Sequence, residues 1–180
     1  MEKSYLKIKK EKLIKILLDV DTGIDDALAL FYLADAHKKG EIEILGSTTV
    51  GGNVEVEQTT INTLNIWEML GLDILVAAGA KQPLMAPLNP APFVHGDDGL
   101  GNTFLPAPKK LPSEESAVEM ILRLSHENAG ELNLLTTAPL TNIATALLQD
   151  PSLASRIRKV VIMGGAVFTG NVSAVAEANI

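Results

Sequence analysis

Short apolar runs alternate with longer amphipathic stretches from Ile14 almost to the end of this sequence, and that alternation limits the fold more than any other feature. Residues 14–20, 42–50, 74–78, 132–137 and 160–163 each read as a buried strand, short and mostly aliphatic, with turn residues behind it. Between them, residues 25–39, 56–70, 113–128 and 140–149 repeat apolar side chains at helical spacing. Gly40 and Gly71 follow the first two helices as stop signals, and Pro139 is expected near the first position of the last. Strands joined through helices run parallel, so the pattern predicts an α/β fold: an open, mostly parallel sheet with helices on both faces. Residues 79–112 interrupt the rhythm with most of the nine prolines, a segment too long for a plain connector.

In such sheets ligands bind beyond the carboxyl ends of the strands. The polar and glycine-rich elements fall there: an acidic cluster after strand one, Gly51-Gly52-Asn53 after strand two, Thr136-Thr137 closing strand four and Gly164-Gly165 after strand five. The acidic cluster, Asp19-Val20-Asp21-Thr22-Gly23-Ile24-Asp25-Asp26, packs four carboxylates into eight residues at a strand-to-helix seam. Helix capping accounts for Asp25 or Asp26 but not for Asp19 and Asp21, which alternation places on one face of the strand end. Carboxylates so crowded repel one another unless a cation sits among them, and an oxygen-only donor set suits a hard ion such as calcium or magnesium.

The pattern Asp-x-Asp-x-Gly-x-Asp-Asp-Ala also resembles the signature of the inosine-uridine-preferring nucleoside hydrolases, whose sheet is Rossmann-like. Four later segments resemble the same family in the same order: Thr48-Thr49-Val50-Gly51-Gly52-Asn53, His95-Gly96-x-x-Gly99-Leu100-Gly101, Thr137-Ala138-Pro139-Leu140-Thr141-Asn142, and Gly164-Gly165 with Gly170-Asn171 and Ala176-Glu177-Ala178-Asn179. The resemblance implies calcium-dependent hydrolysis of the N-glycosidic bond of ribonucleosides. It implies that Asp21 binds calcium and serves as general base, that Asp26 and the main-chain carbonyl of Thr137 complete this chain's share of the metal site, and that Asp19 supports them from behind. It further implies that Asp25, Asn171, Glu177 and Asn179 hold ribose hydroxyls, that Asn53 lies near the ribose and the water, and that His95 sits on a loop over the substrate. Ala178 stands where the family usually has an aromatic residue. The competing phosphatase-superfamily signature, Asp-x-Asp-x-Thr/Val, fits worse, because Gly23 occupies its fifth position and Asp25-Asp26 is left without a role.

A formal charge of −7 argues against a nucleic-acid partner but not against a small neutral nucleoside. The absence of cysteine excludes disulfides and thiolate metal sites and agrees with a cytoplasmic setting. No apolar run reaches membrane-spanning length. Residues 1–13 read as a basic, solvated extension and 14–180 as one nucleoside hydrolase-like domain, incomplete at its C-terminus, since the family's last metal-binding Asp and its general-acid His find no counterpart here. The expectation is therefore a truncated chain with poor calcium affinity and turnover, an inactive or merely nucleoside-binding fragment, a homo-oligomer, or a chain that works with a complementing C-terminal half. His37 and His126 are expected at the surface.

Overall fold

The first strand, β1 (Ile14–Val20), is the hub of the sheet, and its sequence explains why: Leu17 and Leu18 point to opposite faces and both are buried. The computed structural model describes residues 13–174 and 176–179, so the expected extension lies outside the described residues apart from Leu13. After β1 come α1 (Ile24–Lys38), β2 (Ile42–Thr49), α2 (Val56–Met69), β3 (Val76–Ala78), the short α3 (Pro92–His95), α4 (Ala117–Glu127), β4 (Leu132–Thr136), α5 (Thr141–Gln149), α6 (Leu153–Arg156) and β5 (Lys159–Ile162). The strands lie in the order β3-β2-β1-β4-β5 and every pairing is parallel. This is the predicted α/β architecture.

Two aliphatic layers hold it together. Ile16, Leu18 and Val20 of β1 meet Leu30 of α1 and Leu64 and Trp67 of α2 on one face. Leu17 meets Met120 and Leu124 of α4, Leu134 of β4, Ala146 of α5 and Leu153 of α6 on the other. Burying these side chains is the main stabilising term, at about 1.5–3 kcal/mol for each large one.

Several boundaries differ from the sequence reading. The helix expected from Ser113 begins at Ala117, because Ser116 and Glu119 form a reciprocal capping box, while the Ser113 amide is spent on the Val76 carbonyl beside β3. β3 is shorter than residues 74–78, since pairing with β2 starts only at Ser47 and Val76. Pro139 precedes the Leu140 cap rather than opening the helix. His37 is half-buried, not a plain surface residue: its Nδ1 accepts the Ile44 amide at 3.2 Å. His126 is exposed, as expected.

Candidate active site

The turn between β1 and α1 carries the acids, and close packing of backbone around it sets their positions. Asp21 is buried, and its Oδ2 accepts the main-chain N–H of Asn53 at 2.8 Å. That approach depends on Gly52, where a Cβ would lie 2.0 Å from the same oxygen. Asp26, also buried, caps its own helix: Oδ2 accepts the Gly23 amide at 2.9 Å and the Asn53 side-chain amide at 3.3 Å. Its Oδ1 accepts the Thr137 hydroxyl. Gly23 is needed here for room, since a Cβ would lie 2.6 Å from both the Asn53 amide nitrogen and His95 Nδ1.

Asp19 lies further back. Its Oδ1 accepts the Thr48 hydroxyl at 2.6 Å and the Asn142 amide at 2.8 Å, while its Oδ2 is buried without a partner. Burial raises its pKa to about 6 against the opposing pull of those two bonds. Burial also pushes Asp21 and Asp26 upward, and for Asp21 the neighbouring Asp26 charge adds to it. Such an arrangement disfavours both carboxylates being ionised together without a compensating cation.

The residues of the last motif join this group from the C-terminal side. Asn179 donates from Nδ2 to the Thr137 carbonyl at 2.8 Å and to the Met163 carbonyl at 3.1 Å. Glu177 accepts from the Asn179 amide at 3.0 Å and from the Asn171 side chain at 3.2 Å. Its pKa is lowered: burial pushes it up, but these donors and the Gly165 amide outweigh that. A cavity of about 280 Å³ opens between the two groups, lined by Asp21, Asn53 and Gly52 on one side and Glu177, Ala178 and Asn179 on the other. It lies at the carboxyl edge of the sheet, where open α/β folds bind their ligands.

Not every expected residue reaches that cavity. Asp25 is more than half exposed, with its Oδ1 3.8 Å from His95 Nδ1, and neither residue lines the cavity. Asn171 supports Glu177 and Ala178 instead of facing the opening. The Thr137 carbonyl, expected to face a metal, accepts Asn179, while the hydroxyl of the same residue touches Asp26.

Four residues without an assigned role organise the site. Asn142 donates to Asp19 and to the Thr49 carbonyl at 2.9 Å and accepts the Ala80 amide at 2.9 Å, tying together the ends of β1, β2 and β3. Its place directly after Pro-Leu-Thr was visible; its partners were not. Thr48 holds Asp19 from β2. Asp98 accepts the amides of Leu100, Asn102 and Phe104 and so shapes the loop after His95. Asn62 of α2 donates to the carbonyls of both Thr22 and Asp98, stapling that loop to the acidic turn.

The donor chemistry fits a hard cation. Asp21 and Asp26 share Asn53 as a donor, the Thr137 carbonyl lies beyond the Asp26–Thr137 hydroxyl contact, all three offer oxygen only, and the acids accept hydrogen bonds from neutral groups without a basic partner among the described residues. These are three donors, where calcium takes about six to eight. Among the described residues no three His, Cys, Asp or Glu side chains gather as a metal-holding group.

A parallel α/β sheet with buried acids and a cavity at its carboxyl edge places this chain among the α/β folds that bind ligands beyond their strand ends. Comparison with known proteins gives the family: the model for "Inosine-uridine preferring nucleoside hydrolase" matches residues 16–180, and the chain belongs to that family. It is 45% identical over 169 residues to uridine nucleosidase 1 of Arabidopsis thaliana, covering 92% of this chain and 49% of that protein. The solved plant nucleoside hydrolase PpNRh1 superposes with a TM-score of 0.87 at 37% identity, over 93% of this chain and 53% of that one. A purine-preferring ribonucleoside hydrolase from Gardnerella vaginalis gives 0.85 at 37% identity, over 92% and 53%. The chain thus spans about half the length of the relatives it matches.

Proposed function

We propose that this chain carries the cation-holding and ribose-holding part of a calcium-dependent ribonucleoside hydrolase. The observation that carries this reading is the convergence of Asp21, Asn53, Glu177 and Asn179 on one cavity, with Asp26 and Thr137 directly behind it. Asp21, Asp26 and the Thr137 carbonyl would hold the calcium. When bound, that ion supplies charge compensation, lowers the pKa of a water and orients the ribose diol.

Asp21 acts as general base. The Asn53 amide fixes its Oδ2, and Oδ1 takes the proton of the attacking water. The water oxygen bonds to the anomeric carbon as the carbon–nitrogen bond breaks, and the base departs with that electron pair. Glu177, kept ionised by its donors, and Asn179 grip ribose hydroxyls and steady the sugar as positive charge develops on it. Asn171 and Asp19 hold these groups in place, and Asp25 with His95 stands at the rim. Asn53, bonded to both Asp21 and Asp26, fixes their relative position beside the water. The composition without cysteine supports a cytoplasmic setting for this chemistry.

The test is ribose release from uridine and inosine, with calcium and then with chelator, by the 180-residue chain alone and co-expressed with the family's other half. Chelator-sensitive release that falls by about a thousandfold in Asp21→Asn is expected of the combined protein. Release indifferent to chelator and to Asp21→Asn would sink the assignment. For the chain alone, the count of three donors favours a second reading: it binds calcium and nucleoside weakly and turns over little.

A further inference from the structure

Asn62 is a buried amide that serves two segments at once. Its Nδ2 donates to the Thr22 carbonyl at 3.0 Å and to the Asp98 carbonyl at 2.8 Å. Its Oδ1 accepts Gln58 Nε2 at 2.9 Å, one helical turn back, and that bond fixes which end of the amide meets the two carbonyls. Thr22 stands between Asp21 and Gly23 in the acidic turn, and Asp98 follows His95 by three residues. One side chain therefore spans from the turn that carries the acids to the loop that carries His95.

That loop is otherwise sparsely attached. The Asp98 carboxylate takes the amides of Leu100, Asn102 and Phe104, but those bonds stay within the loop. Among the described residues, two hydrogen bonds tie residues 95–104 to α1 and α2: the buried one from Asn62, and an exposed one of 3.4 Å from the Ile24 amide to His95 Nδ1. Partial burial of Leu100 against the α1–α2 layer adds an apolar contact. Gly99 permits the close approach, since at its φ of +76° a Cβ would lie 3.0 Å from Asn62 Nδ2. In this position the His95 ring lies over Gly23 and 3.8 Å from the Asp25 carboxylate. The buried acids are held differently. Asp21 is bonded by Asn53, and Asp26 by the Gly23 amide, Asn53 and Thr137. None of those bonds passes through Asn62.

We infer that Asn62 is a positioning residue for the nucleoside. By pinning Asp98 to Thr22 it keeps His95 beside Asp25 at the rim of the cavity, and so it governs nucleoside affinity separately from cation affinity. The inference rests on the nucleoside hydrolase reading of the cavity. An aliphatic side chain at position 62 strands two buried carbonyls and releases the loop, while the carboxylates keep all their donors.

The experiment compares the 180-residue chain with its Asn62→Leu and Gln58→Ala variants. Calorimetry gives calcium affinity, NMR titration in saturating calcium gives uridine and inosine affinity, and amide exchange follows residues 98–104. In Asn62→Leu the loop amides are expected to exchange about tenfold faster. The nuclear Overhauser contact between the His95 ring and Gly23 disappears. Nucleoside dissociation constants rise about fivefold, as for one lost hydrogen bond, while that of calcium stays within about threefold. Gln58→Ala leaves both buried carbonyls their donor and moves the same readouts the same way by less, so it decides the matter if circular dichroism shows Asn62→Leu unfolded; no change in Gln58→Ala then overturns the inference. Calcium and nucleoside affinities lost in equal measure make Asn62 a general structural residue and overturn it too. Nucleoside binding that is present in the unaltered chain and indifferent to Asn62→Leu overturns this inference alone. An unaltered chain that binds neither nucleoside overturns it together with the reading beneath it.

Discussion

At the scale of single residues, the site depends on places where side chains are absent as much as on the acids. Gly52 lets backbone come against Asp21, and Gly52→Ala forces the carboxylate out of its bond with Asn53. Calcium titration calorimetry should show that variant losing most of its affinity; unchanged affinity would contradict the role given to this contact. Asn142 is the opposite case, a buried side chain whose three bonds have no substitute. Asn142→Leu strands the Ala80 amide and the Thr49 carbonyl and removes a donor from Asp19. An unsatisfied buried group costs about 1–3 kcal/mol, so urea unfolding should register a loss of at least ~2 kcal/mol. Asp19, Asp21 and Asp26 were recognisable in the sequence from their spacing at the end of an apolar run. Asn142 was not, because its partner Asp19 is 123 positions away and only the pairing of β1 with β4 brings them together.

Among the elements, the loop from α3 to Phe104 shows how a segment without a core of its own is held. Asp98 gathers three main-chain amides, and Asn62 fastens its carbonyl to α2. Positive φ at Asn102 and Phe104 shows that the chain is bent tightly around that carboxylate. Asp98→Ala should release the amides of Leu100, Asn102 and Phe104 to exchange and cost roughly 1–3 kcal/mol, with the amides of β1 still protected. Uniform loss of protection across the sheet would mean that the loop is integral to the fold instead. The proline content announced that residues 79–112 are special; which residue anchors them did not show, since one loop aspartate looks like another until its donors are known. The start of α4 is a milder case: the capping box Ser116-x-x-Glu119 was present in the sequence, but Ser113 offered a competing start that β3 resolves by taking its amide.

For the molecule as a whole, the buried acids set the pH dependence. Asp19, Asp21 and Asp26 have folded pKa values raised chiefly by burial, that of Asp19 to about 6. A carboxyl raised in this way favours the folded state fully below its ordinary pKa near ~4, and that support is lost as pH rises through the folded value. Asp98 and Asp150 act in the reverse sense, being lowered, and their contribution is lost as acid protonates them. The cation-free chain should therefore be most stable at roughly pH 4–6 and melt at a lower temperature at pH 8. Calcium should raise the melting temperature more at pH 8 than at pH 5.5, and differential scanning calorimetry with and without chelator checks both statements. A flat profile that calcium does not alter would show that the acids are not coupled to a cation.

The sequence by itself determined the strand and helix alternation, the parallel sheet and the edge where polar residues collect, because side-chain periodicity is local and decides which face each element buries. It also placed the acidic cluster at the end of β1 and identified the family through motifs that are local in the chain. Tertiary structure alone decided which of those motif residues share a cavity, that Asp25 and Asn171 stand outside it, and that Asn142, Asn62 and Asp98 hold the site together. These outcomes depend on strand order and on how crossovers bring distant segments together, and no local pattern of residues encodes either.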